Sequence, residues 1–283
     1  RPCDWRLSVE APQAVMLPDG RRLHLHHGPI DLIIEVYGSA RDACYARAVD
    51  RFQTILSELA DELPALRRQT GSHDFTSPTA RRMAQATRRF DRFITPMAAV
   101  AGSVADEMLA VMIAGEDVEK AYVNNGGDVA FHLSPGQEVE AAGASGPIVI
   151  RFEDAPRGLA TSGWRGRSHS LGIADAVTVA ARNAATADAA ATLIANAVDL
   201  PGHVRIQRAK ATDLALDSDL GDRLVTTKVG ALTEAEAHEA LASGAAYAEH
   251  LIAEAIITEA SLTLQGQTII AGNCAKTKDL THA

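Results

Sequence analysis

At 283 residues, 47% of them hydrophobic and 22% charged, the chain carries enough apolar material for a sizeable core, in one large domain or two intimate lobes. A net charge of −9 denies it the basic field that a general nucleic-acid surface needs, yet leaves room for a small phosphate-bearing ligand met by a few local cations. Cys3, Cys44 and Cys274 are far apart and in no metal-like spacing, which argues against a disulfide scaffold or zinc ribbon and fits a reducing compartment, so a cytoplasmic location is expected.

No apolar run approaches the ~18 residues of a membrane span, so no membrane partner is expected either. The first residue is Arg1 rather than Met, and a segment upstream is expected. The opening stretch alternates apolar and polar residues around Leu17-Pro18-Asp19-Gly20, which predicts a hairpin followed by an apolar strand over Ile30 to Val36. Ser39 to Leu63 reads as an amphipathic helix with Ala43, Ala46, Val49, Phe52, Ile55, Leu56 and Leu59 on its apolar face, closed by Pro64. An arginine-rich polar stretch follows, with a helix capped by Ser77 or Thr79 and Pro78 in its first turn.

Ala98 to Ala114 reads as a small-residue helix, and "KAYVNNGGDVAFHL" as strand, interruption, strand. "GPIVIRFE" predicts a strand, and "GLATSGWRGRSH" a glycine-rich loop. A strand near Ala176 to Ala180 leads into a helix that runs to about Val198. "HVRIQRAKAT" reads as one more strand, "LTEAEAHEALASGAAYAEHLIAEA" as a long helix, and "ITEASLTLQGQTII" as a closing strand pair. Strands and helices are mixed without repeats or a long linker, so the expected class is α+β, with one domain over residues 1–283.

Four places carry residues capable of chemistry. Asn124, Asn125, Gly126, Gly127 and Asp128 interrupt a strand; paired glycines either admit a ligand to the backbone or turn the chain back as a hairpin. Thr161 to His169 gathers hydroxyls (Thr161, Ser162), free amides around Gly163, guanidinium forks (Arg165, Arg167), the Trp164 ring and an imidazole, a set suited to phosphate or simply a solvated basic loop. Asp106 lies where a small-residue helix turns acidic, and reads on its own as a solvent-facing acid.

The fourth place is "ATADAAAT", Ala185 to Thr192, where Asp188 and Thr192 stand four residues apart on one helix face. They offer two hard oxygens, as Mg²⁺ prefers, on a helix whose alanines equally suit tight packing. His24 and His26 share one side of a strand with His27 on the other, and no third ligand lies nearby in sequence. There is no Gly-x-Ser-x-Gly elbow, no Walker loop and no Cys/His nucleophile pair.

The order of "AAVAGSVADEM", "VNNGGDV", "LATSGWRGRSH" and "VTVAARNAATADAAATLIANAV" resembles the motif series of the ApbE family, the FAD:protein FMN transferases. With "HGPIDL" at His27 to Leu32 and "DLGDRLVT" at Asp219 to Thr226, the chain resembles the ApbE-like UPF0280 family over nearly its whole length, and true ApbE enzymes mainly over residues 95–200. That resemblance implies an ApbE-like fold of two lobes with the site between them, possession of Mg²⁺ and of FAD or FMN as cofactors, and a small-molecule flavin or nucleotide as partner. It implies Asp188 and Thr192 as metal ligands with a backbone carbonyl from Val100 or a neighbour. Asn124, Gly126, Gly127 and Asp128 would lie near the flavin, with Thr161, Ser162, Gly163, Arg165 and Arg167 on the same ligand, and His169 and Asp106 in catalysis.

Two elements depart from the transferases: Ala101-Gly102 stands where they carry Ala-Lys-Gly, and "SLGIADAVTV" where they carry an Asp-Pro-Arg-Thr-Gly turn. Three functions stay open at this point. They are Mg²⁺-dependent flavin transfer or FAD pyrophosphate cleavage, flavin or small-ligand binding without catalysis, and an enzyme of small anionic metabolites in sulfur or amino-acid metabolism, with Arg165 and Arg167 clamping the anion. The alanine-rich helices also suggest a homodimer interface.

Overall fold

Alternating apolar residues build the first strands. In the computed structural model, which describes residues 11–143 and 146–272, β1 (Gln13–Met16), β2 (Leu23–His27) and β3 (Ile30–Tyr37) form a meander. Leu23 and Leu25 of β2 and Leu32, Ile34 and Val36 of β3 point to one buried face. The Pro-Asp-Gly turn sits between β1 and β2 as expected.

From β3 the chain leaves through α1 (Arg41–Leu66), α2 (Pro78–Thr87), a 3-10 turn (Pro96–Ala99) and α3 (Val100–Ile113). It returns at the same end of the sheet, where Lys120 of β4 (Lys120–Asn125) pairs with Tyr37. β5 (Asp128–Leu133) follows by a tight hairpin. A separate hairpin, β6 (Glu138–Gly143) and β7 (Gly146–Arg151), precedes β8 (Gly158–Ser162) and β9 (Ala176–Ala181).

A second excursion then runs through α4 (Ala184–Ala197), β10 (Ile206–Lys210), α5 (Ala211–Leu214), β11 (Leu224–Val229) and α6 (Glu234–Ala253). It re-enters at β12 (Glu259–Leu264), where Glu259 pairs with Ala180 beside the point of departure, and ends in β13 (Gln267–Gly272). Because both excursions leave and return at one end, every pairing in the nine-stranded sheet, ordered β1-β2-β3-β4-β5-β8-β9-β12-β13, is antiparallel. The class is the expected α+β.

The sheet has two halves with separate cores. α1, α2 and α3 cover β2 to β5 through Phe52, Ile55, Met83, Met108 and Met112. α4 and α6 cover β8, β9 and β12 through Val177, Val179, Ile194, Leu241 and Leu262. On the opposite face the β6–β7 hairpin packs against Phe131, Leu133, Leu159 and Ala180.

Several sequence expectations need correction. α1 runs past Pro64 to Leu66, since a proline in the last turn removes only one backbone donor. The buried face of α1 carries Cys44, Tyr45 and Ala48 with Phe52, Ile55 and Leu59, leaving Ala43 and Ala46 exposed. The first half of the expected glycine-rich loop is strand β8, and β6 and β11 are additional strands. Pro96–Ile113, contrary to expectation, is long and apolar enough by composition to cross a membrane; half of it is buried within the fold. Cys44 is free and buried, while Cys3 and Cys274 lie outside the described residues.

Candidate functional site

The two cores meet where α3 crosses α4, and that crossing requires small residues. A Cβ on Gly102 would fall 2.3 Å from the Ala184 carbonyl oxygen, and one on Gly158 of β8 2.1 Å from the Ala184 nitrogen. Asp106 fastens the junction: its carboxylate accepts the N–H groups of Ala184 (3.0 Å) and Ala185 (2.8 Å) at the start of α4. A carboxylate at a helix N-terminus is favoured by orphan donors and by the helix dipole. Asp188, one turn further along α4, reciprocates by accepting the N–H of Gly102 at 3.0 Å.

The β4–β5 turn closes onto this junction. Asn125 pairs with Asp128 across Gly126 (φ +63) and Gly127 (φ +114), a two-residue turn that needs positive φ at both centres. The hairpin reading of Asn-Asn-Gly-Gly-Asp is therefore realised. Strand alternation sends Asn125 and Asp128 toward the helices and Asn124 to the other face. Asn125 donates its Nδ2 to the Ala101 carbonyl at 3.0 Å, and Asp128 accepts the Thr161 N–H at 3.2 Å. Asn124 accepts the Gly127 N–H at 2.8 Å.

Asp188 thus lies within the field of two further carboxylates, Asp128 and Asp106. Burial pushes Asp128 up to about 7, opposed by the Thr161 N–H and the charge of Arg167. Asp188 is raised well above its ordinary value, first by burial and then by the charge of Asp128, with the Gly102 N–H opposing and Asp106 adding a smaller repulsion. Asp106 is also raised by burial, against the pull of its two amide donors. Thr192 is half-buried one turn beyond Asp188, and Val100 is half-buried as the first residue of α3.

The Thr161–His169 segment divides. The Thr161 hydroxyl is bonded to that of Thr178 at 2.9 Å. Gly163 is required by the Asp175 carbonyl, 2.3 Å from where its Cβ would be. Asp175 also takes the Trp164 indole N–H at 3.2 Å and the Arg165 guanidinium at 3.1 Å, so the indole and Arg165 are tied to one carboxylate. Ser162 is half-buried, whereas Arg165, Arg167 and His169 are exposed. The Arg167 guanidinium rests on Gly126, occupying the space of a missing side chain with Nη2 2.1 Å from the Cβ position.

Among the described residues no group of three His, Cys, Asp or Glu side chains is disposed to hold a metal. His24 instead contacts Asp31 at 3.1 Å on the neighbouring strand. The oxygens at the junction are of another kind: a carboxylate, a neighbouring carboxylate, a hydroxyl and helix-start carbonyls. That is a hard donor set of the sort Mg²⁺ takes while leaving positions for water and phosphate. Asn125 and the amide-holding role of Asp106 were not legible as such; the alternation that turns Ala121 and Val123 inward also turns Asn125 inward.

A family model described as AbpE bacteria matches residues 14–270. UPF0280 proteins are similar over part of the chain. That of Methanothermobacter thermautotrophicus is 35% identical over 130 residues, 44% of this chain and 50% of its own. That of Methanothrix thermoacetophila is 39% identical over 132 residues, covering 44% and 54%. The chain therefore spans about half the length of the curated relatives it matches. Among solved structures, the apo flavinyl transferase ApbE of Pseudomonas stutzeri aligns over 94% of both chains at 13% identity and a TM-score of 0.47. With a family model matched over nearly all of its described length, the chain belongs to the AbpE bacteria family.

Proposed function

We propose that the α3–α4 junction is a Mg²⁺-supported site for the pyrophosphate of a flavin or nucleotide, and that FAD is its ligand. The observation that carries this reading is the geometry of the junction, where Asp188 on α4 accepts the Gly102 N–H of α3 and Asp128 accepts the Thr161 N–H, with Asp188 raised by burial and by the charge of Asp128. A divalent ion relieves that repulsion, and when bound it neutralises charge on a pyrophosphate and orients it for attack. Asp188 and Thr192 hold the ion from one face of α4. Asn125 fixes the Ala101 carbonyl at the start of α3, and Asp106 holds the start of α4, so the two helix ends keep their spacing.

Arg167, lying over the glycine turn, supplies positive charge at the rim of the site. The anionic-metabolite reading draws less support, because Arg165, one arm of its clamp, is paired with Asp175. The absent lysine at Ala101-Gly102 and the absent Pro-Arg-Thr-Gly turn favour binding or pyrophosphate cleavage over transfer to a protein hydroxyl.

The test is an FAD titration by flavin fluorescence with and without Mg²⁺, on the wild type and on Asp188→Ala. Loss of one oxygen ligand should weaken Mg²⁺-dependent binding at least about tenfold, roughly 1.4 kcal/mol. A wild type that ignores FAD in both conditions removes the proposal.

A further inference from the structure

Residues 67–92 hold seven arginines and two aspartates in a chain whose net charge is −9, so the acidic excess lies elsewhere. Two of the seven are paired with carboxylates among the described residues, Arg67 with Asp217 at 2.6 Å and Arg82 with Glu107 at 2.9 Å. The other five, Arg68, Arg81, Arg88, Arg89 and Arg92, are exposed. Helical periodicity sends Thr79, Ala80, Met83 and Ala84 of α2 into the core and leaves Arg81, Gln85 and Arg88 along its outer face.

Three of the five are held in place without being neutralised. Arg81 donates Nε to the Phe75 carbonyl at 2.9 Å and Nη2 to that of Thr76 at 2.7 Å. Arg88 donates Nε to the Gly71 carbonyl at 3.2 Å and Nη2 to that of His73 at 3.0 Å. Arg92 lies over the Tyr247 ring, 3.7 Å from its centroid. These guanidiniums keep their charge and spare donors, so a carboxylate arriving from outside meets groups that are already ordered. Stabilisation of α2 does not account for them: Arg81 lies near the N-terminus, the end at which the helix dipole disfavours a cation. Glu62, beside that end, is spent on the Thr76 and Ser77 amides at 2.7 and 3.0 Å. Two recesses share residues 69–71 as a wall; one of about 260 Å³ reaches Arg88 and Arg92, and one of about 140 Å³ reaches Arg68 and His73. Asp91 is the only acid in either lining.

We propose that this face of α2 and the loop before it form a docking surface for a short acidic segment of a partner protein. The proposal is independent of the Mg²⁺ site, since none of these residues belongs to the carboxylate junction. Five charges spread along a helix and a loop match a series of carboxylates better than a single phosphate. A nucleic acid fits less well for two reasons. Its bases stack on exposed rings, and here Tyr247 is covered by Arg92 and Phe93 by Arg223. A long polyanion also meets the acidic remainder of the chain, whereas a short segment senses only charges within a Debye length, about 8–10 Å.

The test is fluorescence anisotropy with labelled octaglutamate, and with labelled octathymidylate as a nucleic acid of similar charge. Octaglutamate should bind the wild type more tightly than octathymidylate does, and more weakly as salt rises from about 50 to about 150 mM. Arg68→Ser combined with Arg89→Ser should weaken peptide binding about tenfold, the combined worth of two exposed ion pairs. Arg182→Ser combined with Lys228→Ser removes two exposed cations elsewhere and should leave binding within about twofold. Neither pair removes a side-chain hydrogen bond or ion pair of the fold among the described residues. The proposal is overturned if octaglutamate does not bind at high micromolar concentration, or if the two double variants lose binding equally. Octathymidylate binding as tight as that of the peptide, or tighter, overturns it as well and assigns the surface to polyanions in general.

Discussion

Glu107 and Asp188 are carboxylates that pack at α3, and the protein treats them in opposite ways. Glu107 is met by two guanidiniums, Arg51 from α1 at 3.1 Å and Arg82 from α2 at 2.9 Å, and Arg51 is further paired with Glu58. Asp188 has an amide of Gly102, and the nearest charges acting on it are two more carboxylates. A charge buried with its counterions ties three helices together. A charge buried among like charges destabilises the fold unless protonation or a counterion neutralises it, which is the role the proposed ligand would fill. One face of α3 is a structural lock, and another carries the proposed site.

The largest expected effect breaks the lock. Glu107→Ala strands Arg51, whose side chain is only 13% exposed, while the more exposed Arg82 can turn to water. Truncating one partner of a buried pair typically costs several kcal/mol; because Arg51 keeps Glu58, a loss of about 3 kcal/mol in chemical denaturation is expected, with Mg²⁺ affinity unchanged. A loss below about 1 kcal/mol would show that the cluster is solvated. Next in size is Asp106→Ala, which leaves the Ala184 and Ala185 amides unpaired and should cost about 2 kcal/mol. Unlike the first, this change should also weaken Mg²⁺-induced stabilisation, because α4 carries Asp188. If Mg²⁺ response is intact in Asp106→Ala, the crossing does not position the site.

How much of this contrast can be read from residues alone depends on where the partners lie. Asp188 and Thr192 are legible because a helix places i and i+4 together, and the Gly126-Gly127 turn because its φ requirements select glycine. Strand β8 is not: it resembles a loop because its α4-facing positions are small, with a Cβ at Gly158 excluded by the start of α4. Similarly, β6 alternates only between exposed and half-buried residues, since it packs as an outlying hairpin and not within the main sheet. Asp106 reads as a solvent-facing acid since its donors, Ala184 and Ala185, are 78 and 79 residues away. Arg165 reads as a free fork for the same kind of reason, its partner Asp175 standing beyond the loop, just before β9. Local pattern reveals what a residue can do; the tertiary crossing decides which of them are already occupied.

The smallest effect is the most discriminating, because its sign is unusual. A salt-bridged carboxylate titrates below its unfolded value, so the stability it gives is lost as pH falls. Asp128 and Asp188 are raised instead, Asp128 to about 7 from an ordinary 3.8. Between those values the folded chain binds more protons than the unfolded one, so the stability of the metal-free protein should decline as pH rises through that window. Asp188→Asn keeps an oxygen for the Gly102 N–H and removes one of the two repelling charges. It should therefore raise metal-free stability above the window by at least about 1 kcal/mol and flatten the decline. Millimolar Mg²⁺ should do the same for the wild type and nothing further for the variant. Thermal melts of both proteins across this pH range, with and without Mg²⁺, check all of these outcomes. A wild type whose metal-free stability is level or rises with pH would mean that the two carboxylates are compensated within the protein, and the contrast with Glu107 would then be one of degree.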